Sequence, residues 1–115
     1  MKKLEIEKNE FNNTKEIIKQ LVNEGLELDN VLVSYDTIID TIVNNGNEHW
    51  YPIDIFENKY SFSNLGRVKN NKTGRILGGS LFGEGYRSYC LSHNYSKSYY
   101  YVADTYQCAL LDLGI

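Results

Sequence analysis

Histidine and cysteine are the side chains best suited to proton transfer, nucleophilic attack and metal binding near neutral pH, and this sequence holds only two of each: His49, His93, Cys90 and Cys108. Neither histidine has an acidic pair at ligand spacing beside it, so each reads as a turn or surface residue and not as a general base. The cysteines lack CxxC spacing and sit among apolar and aromatic neighbours, which predicts reduced, buried thiols in place of a disulfide or a zinc site. Gly78-Gly79 and Gly83-x-Gly85 lack the strand-to-helix context of a phosphate cradle, and no serine elbow or carboxylate dyad occurs. No catalytic set, metal site or cofactor is therefore expected.

Two charged groups remain. Arg67, Lys69, Lys72 and Arg75 form a basic ribbon interleaved with Asn and Thr donors, the pattern that contacts phosphate backbone by displacing counterions. Glu16, Glu24, Asp36 and Asp40 fall on the outward faces of two helical segments, where they either keep the surface wet or present an acidic face to a partner.

The elements that must position these groups divide near Glu48. Residues 1–48 hold ten acidic and five basic residues, whereas residues 49–115 hold five acidic and seven basic, which together give the chain its net charge of −3. This shift predicts an acidic helical hairpin over 1–48 and a β unit over 49–115. Asn12, Asn13 and Thr14 are capping candidates ahead of the helical spacing of Ile17, Ile18, Leu21 and Val22, with Gly25 as a stop. A second helix is expected from a cap at Asp29 or Asn30 through Val31, Tyr35, Ile38, Ile39, Ile42 and Val43, ended by Asn44-Asn45-Gly46. In the second half, Tyr60–Ser63 and Arg67–Lys69 flank turn chemistry at Asn64-Leu65-Gly66. Residues 85–92 and 97–102 flank a polar turn, and 103–111 suits a closing helix. The expected class is α+β: an N-terminal amphipathic helical hairpin, a small antiparallel β-sheet of two hairpins and a short C-terminal helix. Trp50 is expected to be buried over one end of the sheet.

Trp50-Tyr51-Pro52-Ile53, then Tyr60-Ser61-Phe62-Ser63-Asn64-Leu65-Gly66-Arg67-Val68-Lys69, then Gly85-Tyr86 through Leu91 resemble the fourth type of nuclease-associated modular domain, which accompanies His-Asn-His homing endonucleases of phages and mobile elements. The resemblance covers residues 49–111 and implies nucleic-acid binding. It also implies a nuclease helix opened by His and Arg, but here Val102 is followed by Ala103-Asp104-Thr105-Tyr106, and Ile115 comes ahead of the later catalytic positions. A metal-assisted hydrolase needs its base and ligands together, so the expectation is a binding protein and not an enzyme.

Two function classes follow. Small, acidic, Tyr-rich chains related to mobile-element nucleases resemble phage counter-defence proteins such as anti-CRISPR proteins. That resemblance implies an inhibitor of a host nucleic-acid-handling protein, a CRISPR nuclease for instance, whose basic groove the acidic residues would occupy. The alternative is a stand-alone DNA-binding module that uses the ribbon. Tyr86, Tyr89, Tyr99 and Tyr101 are a further contact candidate. No apolar run approaches the ~20 residues that span a bilayer, and the N-terminus lacks a secretory pattern, so the expected setting is the cytoplasm of a bacterial host without membrane contact.

Overall fold

The structure is a computed structural model that describes residues 2–29, 33–54 and 57–115. Strand β1 (Lys2–Leu4) leads into helix α1 (Lys8–Glu27), followed by helix α2 (Tyr35–Asn44). Seven further elements complete the chain: β2 (Trp50–Pro52), β3 (Tyr60–Ser63), β4 (Val68–Asn70), β5 (Ser80–Gly83), β6 (Tyr86–His93), β7 (Ser96–Ala103) and α3 (Thr105–Asp112). The class is α+β, with the N-terminal helices, hairpins and closing helix that the patterning predicts.

Helix α1 is longer at both ends than its cap signals suggest. It starts after Glu7 without a side-chain cap bond, so Asn12, Asn13 and Thr14 lie inside it, and the Thr14 hydroxyl donates back to Glu10 O at 2.9 Å. Gly25 is not the stop but a buried contact: a Cβ there would lie 2.0 Å from Val33 Cγ2. In α2 the Ser34 side chain accepts from Thr37 N, and Ile38, Ile39 and Ile42 turn inward. The cap candidate Asn30 and the apolar Val31 lie outside the described residues. The expected ending holds, with Gly46 at φ 73° just beyond the helix.

The strands form two sheets where one was expected. The first has the order β2-β3-β4 and is antiparallel throughout. The second has the order β1-β7-β6-β5, and its β1 runs parallel to β7, with Lys3 opposite Tyr101. A parallel pairing between the first and last strands has no local signature, because nothing near Lys3 specifies a partner almost a hundred residues away. Between the sheets lies one apolar cluster of Ile53, Tyr60, Phe62, Val68, Tyr89, Leu91, Tyr100 and Val102. A second cluster joins Ile18 and Val22 of α1, Ile38, Ile39 and Ile42 of α2, Ala109 of α3, and Leu65. The acidic segment thus shares a sheet and a core with the β unit across the boundary near Glu48.

Candidate nucleic-acid interface

The run Ser63–Val68 sits where the two cores meet. Phe62 just before it and Val68 at its end belong to the inter-sheet cluster, while Leu65, fully buried, reaches the helical one. Ser63 Oγ accepts from the backbone of Leu65 and Arg67, which tightens the turn. Gly66 has φ 84°, and a Cβ there would lie 2.6 Å from Ala103 O, so both backbone conformation and space demand glycine. Tyr89 Oη donates to Gly66 O at 2.6 Å. Asn64, 3% exposed, ties three segments together: its amide donates to Thr14 Oγ1 and Asn47 O, each at 3.0 Å, and its Oδ1 accepts from His49 N at 2.7 Å. Gly66 alone in this turn has positive φ, so Asn64 serves through its side chain and not through a left-handed backbone.

This bracing fixes the outer face of the β2-β3-β4 sheet. Trp50 pairs with Ser63 and Lys69 with Ser61, so by the period-two rule all four face away from Tyr60 and Phe62. Trp50 is half-buried and not covered as expected, with Lys69 Nζ 4.4 Å and the Arg67 guanidinium 5.8 Å from its ring. The β4 turn then presents Lys72 and Arg75 to solvent. Asn70 Oδ1 accepts from Lys72 N and Thr73 N, Gly74 N donates to Asn70 O, and Gly74 takes φ 74°. The ribbon is therefore held on a well-bonded turn, but its members differ. Arg67 forms a two-pronged pair with the nearly buried Glu48, at 2.8 and 2.5 Å, and that carboxylate raises its pKa further. Among the described residues, Lys69, Lys72 and Arg75 form no ion pair and remain able to meet phosphate.

The four acidic candidates are exposed but do not share one site. Glu16 and Glu24 border a groove along α1 near Leu113, where Glu16 pairs with Lys19 and Glu24 accepts from Gln20. Asp36 and Asp40 border a separate cleft of about 290 Å³ that also receives Tyr35, Tyr89, Arg67 and Arg87.

Arg87 and Asp104 were not anticipated. Asp104, fully buried, caps α3 by accepting from Gln107 N, and it also accepts from Arg87 Nε at 3.0 Å. Burial raises its carboxyl pKa, against the opposing pull of the Gln107 N–H and Arg87. An Asp just before a helix is a cap signal; nothing in the sequence links it to Arg87. His49 lies exposed in the loop that Asn64 holds, and the side chain of His93 is outside the described residues. Both thiols are free, but Cys90 is exposed and not buried, because Tyr89 and Leu91 take the inward positions on β6. Tyr89 is likewise a core residue at 4% exposure and no surface contact. Among the described residues, no group of three or more His, Cys, Asp or Glu is arranged to hold a metal ion, and no helix is long and apolar enough to cross a membrane.

Residues 48–92 match the family described as the NUMOD4 motif, the fourth nuclease-associated modular domain. That span runs from the Arg67 partner Glu48 to the middle of the second hairpin. No curated protein and no solved structure matches the chain.

Proposed function

We propose that this chain, built around its nuclease-associated module, is a non-catalytic DNA-binding protein that grips phosphate backbone with the β3–β4 hairpin. The observation that carries this reading is the pre-ordered group on one sheet face: Trp50 stacked against Lys69, with Lys72 and Arg75 held out on an adjoining bonded turn. The backbone that carries these cations is already ordered, so little main-chain freedom is lost on meeting phosphates, and each neutralised phosphate releases counterions. The association of this motif with homing endonucleases, enzymes that must hold DNA, supports the same reading. Arg67 has a different part. Paired to Glu48 and lying over Trp50, it stiffens the face and helps hold the ring against which Lys69 rests.

The test is fluorescence anisotropy with a labelled duplex at low salt. Lys69→Ala/Lys72→Ala/Arg75→Ala should weaken binding alike on unrelated sequences, because phosphate contacts carry no sequence information. Undiminished binding in that variant would refute the assignment. Incubation with plasmid and divalent metals should leave the DNA intact; cleavage abolished by His49→Ala would refute the non-catalytic part.

A second reading, inhibition of a host nucleic-acid enzyme such as a CRISPR nuclease, draws support from the net charge of −3 and the exposure of Glu16, Glu24, Asp36 and Asp40. It has less behind it, because those acids border two separate grooves and one pair stands beside Arg67 and Arg87.

A further inference from the structure

The outer face of the four-stranded sheet is a second surface, distinct from the hairpin. Register and burial fix which side chains it holds. Arg87, Tyr89 and Leu91 of β6 and Tyr100 and Val102 of β7 are on the inward side, so Ser88, Cys90 and Ser92 point out, paired across with Tyr101, Tyr99 and Lys97. Phe82 of β5 reaches over to Tyr101, with ring centroids 4.3 Å apart. Lys3 of β1 lies opposite Tyr101, and its Nζ sits 4.7 Å from the Tyr86 ring. Tyr99 is 64% exposed and Phe82 41%, although aromatic side chains of this size would be expected to seek cover.

Charge on this face departs from that of the chain. The protein has 15 acidic against 12 basic residues, yet the outward positions of these four strands hold Lys3 and Lys97 and no carboxylate. The nearest acids in sequence, Glu5, Glu84 and the buried Asp104, lie just beyond the strand ends, and Glu5 accepts from the Tyr86 hydroxyl. Hydroxyls of Ser88 and Ser92 separate the rings, so the surface is not the continuous apolar patch of a protein interface.

The β6–β7 turn adds an independent sign. Its two loop residues, Asn94 and Tyr95, both have positive φ, at 49° and 66°. Such a turn favours glycine at the second position, and a tyrosine there is strained. Tyr95 is nonetheless fully exposed and gains no packing within the chain. Packing within the chain does not offset that strain, and the ring is left free for an outside contact at the end of the sheet.

We propose that this sheet face binds single-stranded nucleic acid, with bases stacking on Tyr95, Tyr99, Tyr101 and Phe82 and the backbone drawn by Lys3 and Lys97. Exposed π-faces accept any base, so the site is tolerant of sequence. Beyond Tyr86 the face runs into a cleft of about 300 Å³ lined by Ile6, Phe11 and Ala103 with Glu5 and Lys8 at its polar side, which can receive a terminal base. The inference does not depend on duplex binding by the hairpin.

The test uses a fluorescein-labelled oligodeoxythymidine of about 15 nucleotides, within the range bound by single-strand-binding folds, and the matching oligouridine. Tyr99→Ala and Phe82→Ala should each weaken binding roughly 5- to 100-fold, the range for loss of one base–aromatic stack. Tyr95→Gly should raise the melting temperature while weakening binding, a pairing that a merely structural role cannot give. The oligonucleotide should also protect exposed Cys90, opposite Tyr99, from alkylation. Lys72→Ala/Arg75→Ala should weaken oligonucleotide binding less than duplex binding, and Tyr99→Ala the reverse, which separates this site from the hairpin. Affinity unchanged in the Tyr99, Phe82 and Tyr95 variants would overturn the proposal. So would a wild type that ignores oligonucleotides and instead forms a dimer, reversible on dilution, that these substitutions disperse, since the face would then join two copies of the chain.

Discussion

Replacing Asn64 by alanine tests how the module is joined to its helices. The substitution removes two donors and one acceptor at a site 3% exposed. Thr14 Oγ1 keeps its bond to Glu10 O, so losing the amide there costs only about 0.5–1 kcal/mol, the net worth of one hydrogen bond. Asn47 O and His49 N lose the Asn64 side chain, and a polar group stranded away from water costs about 1–3 kcal/mol. Both groups lie in a partly exposed loop, so the low end applies and the total is about 3 kcal/mol, a large share of the roughly 5–15 kcal/mol that holds a domain folded. At about 4 °C per kcal/mol for a chain just over a hundred residues, the melting temperature should fall by roughly 10 °C. Urea unfolding followed by far-UV circular dichroism measures the free-energy loss, with Thr14→Val as a companion expected to cost about 1 kcal/mol. A loss below about 0.5 kcal/mol for Asn64→Ala, or an equal loss for Thr14→Val, would refute the idea that this amide joins the loop, the turn and α1.

Gly66→Ala should cost at least about 2 kcal/mol, because it combines φ 84° with a Cβ only 2.6 Å from a backbone oxygen, whereas Gly46→Ala, at φ 73° in open space, should cost about 1 kcal/mol; equal losses in urea unfolding would count against the close approach. Burial, the largest influence, raises the folded-state pKa of Asp104, so the native state holds that proton more tightly than the unfolded chain, and this group's contribution to stability declines as pH rises from the ordinary carboxylate range through the raised value. Asp104→Asn removes that slope, so the stability of the variant minus that of wild type should rise between acid and neutral pH; a difference that stays constant or falls would contradict the sign. Reversing Glu16, Glu24, Asp36 and Asp40 to Lys should strengthen duplex binding at low salt, where charges are least screened, and a variant with unchanged affinity would show that these acids do not act on the DNA site.

Much of the fold is legible because its signals are local. Ile38, Ile39 and Ile42 announce α2 by helical spacing, the Ser63–Val68 run announces a glycine-dependent turn, and alternation marks β6 and β7. What escapes the sequence depends on distant partners or on residues with two uses. Gly25 reads as a helix stop but serves close packing against Val33, two roles that one residue type supplies equally well. Strand β5 is short and mostly exposed, so it lacks the alternation that identifies a half-buried strand. The candidate site divides the same way. The ribbon is visible as a cluster of cations, but the withdrawal of Arg67 into a pair with Glu48, 19 residues earlier, is not. Nor is the outward side of β6 and β7 readable before the inward one is known, since Tyr89 and Tyr99 are the same residue type and only packing buries one and exposes the other.

The salt dependence of duplex binding tests the central claim most directly. Each phosphate contact contributes about 0.9 to the slope of log affinity against log salt. If Lys69, Lys72 and Arg75 each neutralise one phosphate, replacing all three with alanine should flatten that slope by about 2.7, whatever the DNA sequence. A wild-type protein that does not bind duplex at low salt, or a triple variant whose slope matches wild type, would contradict the account.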